Sequence, residues 1–120
     1  PILERAYGLE HPAVASILEN LGNTIREQGD VLRAKSLLER ALAIKEHAYG
    51  SKHPELASTL VNLGTSVLTL GDAPRAKALN KQALHILEET YGSEHPLVAE
   101  ALMSLGNAIL GLGDASEAKA

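Results

Sequence analysis

The sequence of 120 residues contains no cysteine, phenylalanine or tryptophan, and its aromatic residues are three tyrosines. Without cysteine, neither disulfides nor thiolate metal sites can form. The hydrophobic fraction of 45% is typical of a globular chain. Because so little of that fraction is aromatic, the core is predicted to be aliphatic and rich in Ala and Leu, which favour helices.

The chain also lacks a basic cluster and a long apolar run. Its net charge is -4, and no group of Lys and Arg is placed to neutralise phosphates, which argues against nucleic-acid binding. No apolar run is expected to approach the roughly 20 residues of a membrane span, and no signal peptide opens the sequence. These absences predict a cytoplasmic protein with neither a nucleic-acid nor a membrane partner.

One hexapeptide recurs three times at a spacing of 42 residues. The copies are YGLEHP at 7–12, YGSKHP at 49–54 and YGSEHP at 91–96. A fixed period of this kind is typical of stacked structural repeats. We therefore predict a single repeat domain over residues 1–120, in which residues 1–10 end a preceding unit. The units that follow cover about 11–52, 53–94 and, incomplete, 95–120.

The first segment of each unit has the periodicity of an amphipathic helix. In the middle unit its apolar residues recur at steps of four and three: Leu56, Leu60, Leu63, Val67 and Leu70. A proline at the start of each segment and a Gly-Asp pair at its end predict the helix bounds, with the Asp capping the next helix. The pairs are Gly29-Asp30, Gly71-Asp72 and Gly113-Asp114. Each unit is thus predicted to be an antiparallel helical hairpin.

A glycine lies inside the first helix of every unit at one phase: Gly22, Gly64 and Gly106. Glycine inside a helix costs about 1 kcal/mol relative to alanine. Its recurrence therefore predicts a close approach of the second helix. The small residues expected to face these glycines are Ala34, Ala76 and Ala118.

The histidines and carboxylates do not form a recognisable catalytic or metal-binding pattern. His11, His53 and His95 lie one unit apart, which in stacked hairpins separates them by roughly 10 Å. A shared metal would need all of its ligands at about 2 Å. The three are instead interpreted as turn or helix-start residues. GLGDAS at 111–116 follows a helix, so it is not a nucleotide-binding fingerprint. Neither an enzymatic activity nor a cofactor is predicted.

The succession Leu-x-x-Leu-Gly-x-x-(Ile/Val), Gly-Asp, Ala and Ala-Leu resembles the tetratricopeptide repeat. The unit of 42 residues, with its YGxxHP joint, is similar to the kinesin-light-chain type of that repeat. The resemblance covers essentially the whole chain. It implies an all-α fold, a right-handed α-solenoid of antiparallel hairpins with about three repeats, whose first helices line a concave groove.

The resemblance further implies a non-catalytic scaffold that binds a protein or peptide in that groove. By motif phase, the predicted groove residues are Asn20, Asn23, Arg26, Val61, Asn62, Thr65, Leu68, Met103, Asn107 and Leu110, with Glu19, Glu27, Thr69, Ser104 and Gly111 beside them. The amides can bind an extended peptide backbone. The apolar members either anchor a partner or pack against neighbouring hairpins. Arg26 is the one basic residue named, which departs from grooves that bind acidic peptides.

The alternative is a structural spacer whose ends pair only with further copies. Two ends of one repeat are complementary, and such a head-to-tail contact does not close into a dimer. We expect self-association in which Leu102 or Leu105 contacts a neighbour's Ile2 or Leu3, with Ala120 near its Pro1. Concentration-dependent association without ligand would distinguish the spacer from the peptide-binding scaffold.

Overall fold

The computed structural model describes the backbone of residues 11–119 and the side chains of residues 11–113. This part of the chain forms five helices and no strand. They are α1 (Pro12–Glu27), α2 (Val31–Tyr49), α3 (Glu55–Thr69), α4 (Ala73–Tyr91) and α5 (Pro96–Lys119). The prediction of an all-α fold is confirmed. The expected contacts of Pro1, Ile2, Leu3 and Ala120 lie outside the described residues.

The predicted caps bound the helices of the first two units. Asp30 accepts a hydrogen bond from the Arg33 backbone N–H at 3.2 Å, and Asp72 caps α4 in the same way. Each bond satisfies a donor that a helix start leaves unpaired. At their other ends, α2 and α4 stop at Gly50 and Gly92, both with φ of 84°. This left-handed conformation carries no steric penalty for glycine.

An aliphatic core joins the helices of each hairpin, α1 with α2 and α3 with α4. The largest cluster lies around α3, and its fully buried leucines are Leu38, Leu56, Leu60 and Leu63. Burial of one such side chain stabilises the fold by about 1.5–3 kcal/mol. The apolar stripe read from the sequence is therefore the packing face of α3, except for Leu70 just beyond its end, which is exposed.

The stack is curved, with the first helices on the inner side. The backbone of α3 comes within 8 Å of both α1 and α5. The second helices α2 and α4 do not approach each other this closely in the described chain. They are linked instead by an ion pair between two long side chains, Arg75 and Glu39, at a distance of 2.8 Å. Because α1, α3 and α5 are the closer set, their free sides form the concave surface of the α-solenoid.

The recurrent glycines allow a close approach in the first two units. A Cβ at Gly22 would lie 3.2 Å from Cγ of Leu38, and a Cβ at Gly64 would lie 3.0 Å from Oδ1 of Asn80. Both distances are tighter than ordinary side-chain packing. The prediction of a close neighbour at these two glycines is therefore confirmed.

The prediction of which residues face these glycines was wrong by one helical turn. Leu38 and Asn80 follow Ala34 and Ala76 by four positions, and they provide the nearest atoms. Ala34 contributes its carbonyl oxygen at 3.5 Å from the Gly22 Cβ position, rather than its methyl group. Side chains on a helix lean toward its N-terminus, so the residue one turn later covers this spot. The third expected partner, Ala118, lies outside the described side chains.

The third unit departs from the predicted hairpin at the turn expected between its two helices. Helix α5 continues through Gly113 and Asp114 to Lys119, where a turn and a new helix were expected. Extending an existing helix adds about one hydrogen bond per residue, whereas a new helix must first form a costly nucleus.

Candidate functional site

The packed positions of α3 face different helices, among them α1, α4 and α5. Thr59 is fully buried and bonds to α1, and Leu60 packs toward α4. Val61 and Leu68 pack toward α5, where a Cβ at Gly111 would lie 2.9 Å from Leu68 Cδ1. The positions left over are on the inner side of the curve.

These leftover positions form a polar surface that we call the inner stripe. It comprises Asn20 and Asn23 on α1, Ser58, Asn62, Thr65 and Thr69 on α3, and Glu100, Ser104 and Asn107 on α5. Asn20, Thr65 and Asn107 are exposed, while Asn23, Asn62 and Ser104 are half-buried. Five of the predicted groove residues therefore lie on one continuous side of the stack.

The other five predicted groove residues lie on the face that each first helix turns toward the next one. Val61 and Leu68 are half-buried and pack into the core clusters between units. Arg26 donates to the carbonyl oxygen of Asn62 at 3.0 Å, which ties α1 to α3. Met103 and Leu110 occupy the same phase on α5, where they are 72% and 67% exposed. Val61 and Leu68 thus pack between neighbouring hairpins, whereas Met103 and Leu110 are exposed, so their role as anchors for a partner stays a prediction.

Glu19, expected in the groove, is instead buried at the centre of a polar network between the first two units. Its carboxylate accepts hydrogen bonds from Lys45 at 2.6 Å, Thr59 at 2.5 Å and the Asn62 amide at 3.2 Å. Lys45 also donates to the carbonyl oxygen of Glu55 at 3.1 Å, and its side chain is 5% exposed. Each buried charge therefore has a charged partner and further hydrogen bonds, as burial requires.

The network keeps Glu19 ionised. Burial raises the pKa of its carboxyl group, because a charged group is disfavoured away from water. Hydrogen bonds from Lys45 and Thr59, together with the Lys45 charge, lower the pKa by more. The resulting pKa lies below the ordinary value of 4.5.

A pocket of about 200 Å³ opens between α3 and α5. Its floor is apolar and includes Val61, Leu87 and Ala101. Its rim includes the polar side chains of Ser58, Asn62 and Glu100, which belong to the inner stripe. The pocket is therefore continuous with the concave surface.

The repeated YGxxHP run connects the last helix of one unit to the first helix of the next. His53 Nδ1 accepts a hydrogen bond from the backbone N–H of Glu55 at 3.1 Å. The ring of Tyr49 stacks on His53 with centroids 4.6 Å apart, and Tyr91 stacks on His95 at 4.4 Å. Equivalent Nδ1 bonds hold His11 and His95 at the starts of α1 and α5. These three histidines are helix-start residues, as interpreted from the sequence.

The family model for the tetratricopeptide repeat matches residues 13–89. The chain belongs to the tetratricopeptide repeat family. Proteins of this family generally serve as protein-interaction scaffolds. No protein of curated function matches the chain.

Solved structures of kinesin-light-chain-like tetratricopeptide repeats superpose on this one. A putative kinesin light chain of Podosopora anserina with nearly identical repeats has a TM-score of 0.81 and 28% identity, covering 91% of this chain and 52% of its own. A single-substitution variant of that protein has a TM-score of 0.73 and 28% identity, covering 92% and 52%. BtubC (BKLC) from P. vanneervenii has a TM-score of 0.80 at 24% identity, covering 93% and 45%, and shows the fold alone. The chain spans about half the length of these structures.

The length of one apolar stretch of this tetratricopeptide chain was underestimated from the sequence. Within the described residues, Pro96–Gly113 has a mean hydropathy of 1.4 over 18 residues, enough by length and composition to cross a membrane. The apolar content has a different origin in a repeat helix. Leu102 and Ile109 occupy the phase of Leu60 and Val67, which are buried in the hairpin core one unit earlier. A repeat core face and a membrane span therefore give the same hydropathy here.

Sequence reasoning missed Glu19 and Lys45 as a buried pair, although the repeat contained a signal. One unit later the corresponding residues are Val61 and Leu87. Two opposite charges that replace apolar residues in one unit together indicate a buried ion pair. For metal binding, no group of three or more His, Cys, Asp or Glu side chains comes together in the described residues.

Proposed function

We propose that this tetratricopeptide module binds an extended peptide segment of a protein partner along its inner stripe. The observation that carries this proposal is the exposed row of Asn20, Thr65 and Asn107 on the concave side of three adjacent helices. The amides of Asn20 and Asn107 both donate and accept, and the Thr65 hydroxyl, which donates to the carbonyl oxygen of Val61, can still accept, so such a row can pair with peptide groups of an extended chain. The relatives named as kinesin light chains are consistent with a scaffold of this kind.

The test uses peptides selected from a random display library on the whole chain. Their affinity is then measured for a variant carrying Asn20→Ala, Thr65→Ala and Asn107→Ala. Each lost hydrogen bond is expected to cost about 1 kcal/mol. A matched control carries Ser36→Ala and Lys81→Ala, which are exposed on the outer helices α2 and α4. Equal affinities for both variants would contradict binding at the inner stripe.

The end of the stack supports a second candidate function, head-to-tail association with another copy. Leu102 and Ile109 on α5 are 51% and 48% exposed, whereas Leu60 and Val67 are 0% and 1% exposed. At the opposite end, Ile17 and Leu21 of α1 are exposed as well. An exposed apolar face at each end of the stack favours end-to-end stacking.

Sedimentation velocity over a range of concentrations tests this second candidate. The parent chain is expected to form species larger than a dimer as concentration rises, because a head-to-tail contact does not close. A variant with Leu102→Glu and Ile109→Glu is expected to remain monomeric. A parent chain that is monomeric at every concentration would exclude this function.

A further inference from the structure

The two contacts between successive units use equivalent helices, but the first is lined by charged and polar side chains and the second by apolar ones. We call the packing of the first hairpin on α3 the first joint, and that of the second hairpin on α5 the second joint. The residues Glu19, Lys45 and Thr59 of the first joint correspond, 42 positions later, to Val61, Leu87 and Ala101. The first set forms the buried ion-pair network, and the second set lines the pocket.

The pocket lies at the positions that correspond to the buried ion pair one unit earlier. Valine and leucine are shorter than glutamate and lysine, and alanine lacks the threonine hydroxyl. Val61, Leu87 and Ala101 therefore do not reach across the gap between the units as the ion pair does, and the pocket there measures about 200 Å³. Sites for whole small molecules measure about 300–1,000 Å³, while an apolar cavity of about 150 Å³ holds a benzene ring. The pocket thus has the size of one large apolar side chain.

The rim of the pocket defines what lies beside that side chain. Glu100 is the single charged residue among the ten that line the pocket, and it is exposed. Its counterpart at the first joint is Ser58, so a carboxylate occupies this rim position at the second joint but not at the first. A cation next to the inserted side chain would complement Glu100, whereas an anion would be repelled.

We propose that the second joint is the anchor point for the partner peptide. The pocket takes one large aliphatic or aromatic side chain, and Glu100 selects a Lys or Arg next to it in the peptide. The first joint is closed to such a side chain by Glu19 and Lys45, so the module has one anchor and holds its peptide in one register. This inference rests on the proposed function and adds the peptide class and its position.

The experiment fills the pocket with the chain's own ion pair. A variant with Val61→Glu, Leu87→Lys and Ala101→Thr reproduces the first joint at the second one. Library-selected peptides are expected to carry an apolar residue adjacent to Lys or Arg, and to bind this variant about tenfold more weakly or worse. Glu100→Lys, at an exposed position, is expected to weaken binding about two- to fivefold. Val61→Phe, which fills the pocket with a ring, replaces the triple variant if that variant does not fold.

Three results would overturn the inference. Peptides that bind the filled variant as tightly as the parent, while the inner-stripe variant weakens them, would refute the anchor and leave the proposed function standing. Selection of peptides with Asp or Glu beside the apolar residue would refute the role of Glu100. If no peptide is selected by the parent chain, both the anchor and the proposed function fail.

Discussion

At the scale of single residues, Glu19 and Lys45 are the strongest departure from an aliphatic interior. An ion pair taken out of water costs desolvation energy that its attraction and hydrogen bonds must offset. The second joint manages without such a pair, because Val61 and Leu87 occupy the same positions. The pair is therefore not required for two units to pack.

We expect the two charges to be dispensable together but not singly. Lys45→Leu leaves the Glu19 carboxylate buried without its cation and should lower the free energy of unfolding by about 3–5 kcal/mol. The combination of Glu19→Val, Lys45→Leu and Thr59→Ala, which copies the second joint, should be near neutral or stabilising. Urea unfolding of both variants measures the difference. A triple variant no more stable than the single one would show that the network itself holds the joint.

Gly64 and Gly106 share one repeat phase but differ in their surroundings. Gly64→Leu should destabilise the fold by about 1–3 kcal/mol through overpacking against the buried Asn80 amide. Gly106 has no such neighbour within 4 Å, so Gly106→Leu should gain up to about 1 kcal/mol of helix propensity. Thermal unfolding followed by circular dichroism compares the two. A raised melting temperature for Gly64→Leu would contradict the close-approach account.

At the scale of helices, the YGxxHP segment combines the end of one helix and the start of the next within a few residues. Gly50 ends α2 in a left-handed conformation, and His53 supplies the acceptor for the first turn of α3. The stacked ring of Tyr49 holds His53 from the side of the finished helix. One hexapeptide thereby fixes the angle at which one hairpin follows another.

His53→Ala should remove the acceptor at the start of α3 and cost about 1 kcal/mol of stability. His53→Asn is the matched comparison, since asparagine is a preferred residue at helix starts and keeps an acceptor there. Chemical denaturation should rank the parent and the Asn variant together, above the Ala variant. If the Asn variant loses as much as the Ala variant, stacking on Tyr49 rather than capping is the main contribution of His53.

At the scale of the whole molecule, the stack has one charged joint and one apolar joint. The pKa of Glu19 is lowered in the folded chain, so its ionised form stabilises the fold at pH values above the ordinary value of 4.5. This contribution is lost as the pH falls through the lowered folded-state pKa. Acid should therefore weaken the first joint selectively.

Unfolding free energies of the parent and of the Glu19→Val, Lys45→Leu, Thr59→Ala variant should diverge on acidification. As the pH falls from neutral to below the ordinary Glu19 value of 4.5, the parent is expected to lose stability relative to the variant. The two chains differ in no titrating group besides Glu19 and Lys45, so the difference reports the ion pair. Parallel pH profiles would mean that Glu19 contributes no acid sensitivity.

The repeat, the helix pattern and most helix ends were determined by the sequence alone. Spacing of apolar residues, Gly-Asp turns and YGxxHP joints are local signals, because caps and left-handed stops depend on neighbouring residues. Helical phase also places Asn20, Asn62 and Asn107 on one side of the stack, while their role in a binding groove stays a prediction. The turn predicted at Gly113 was wrong, because α5 continues through it, and extending an existing helix is less costly than nucleating a new one.

Only the tertiary structure decided which residues share a joint. Glu19, Lys45 and Thr59 come from three different helices, and no local pattern states that their atoms meet. The same holds for the pocket, whose lining residues Val61, Leu87 and Ala101 come from three different helices. Helical phase locates a side chain on its own helix, whereas burial and cavities depend on how the neighbouring helices pack against it.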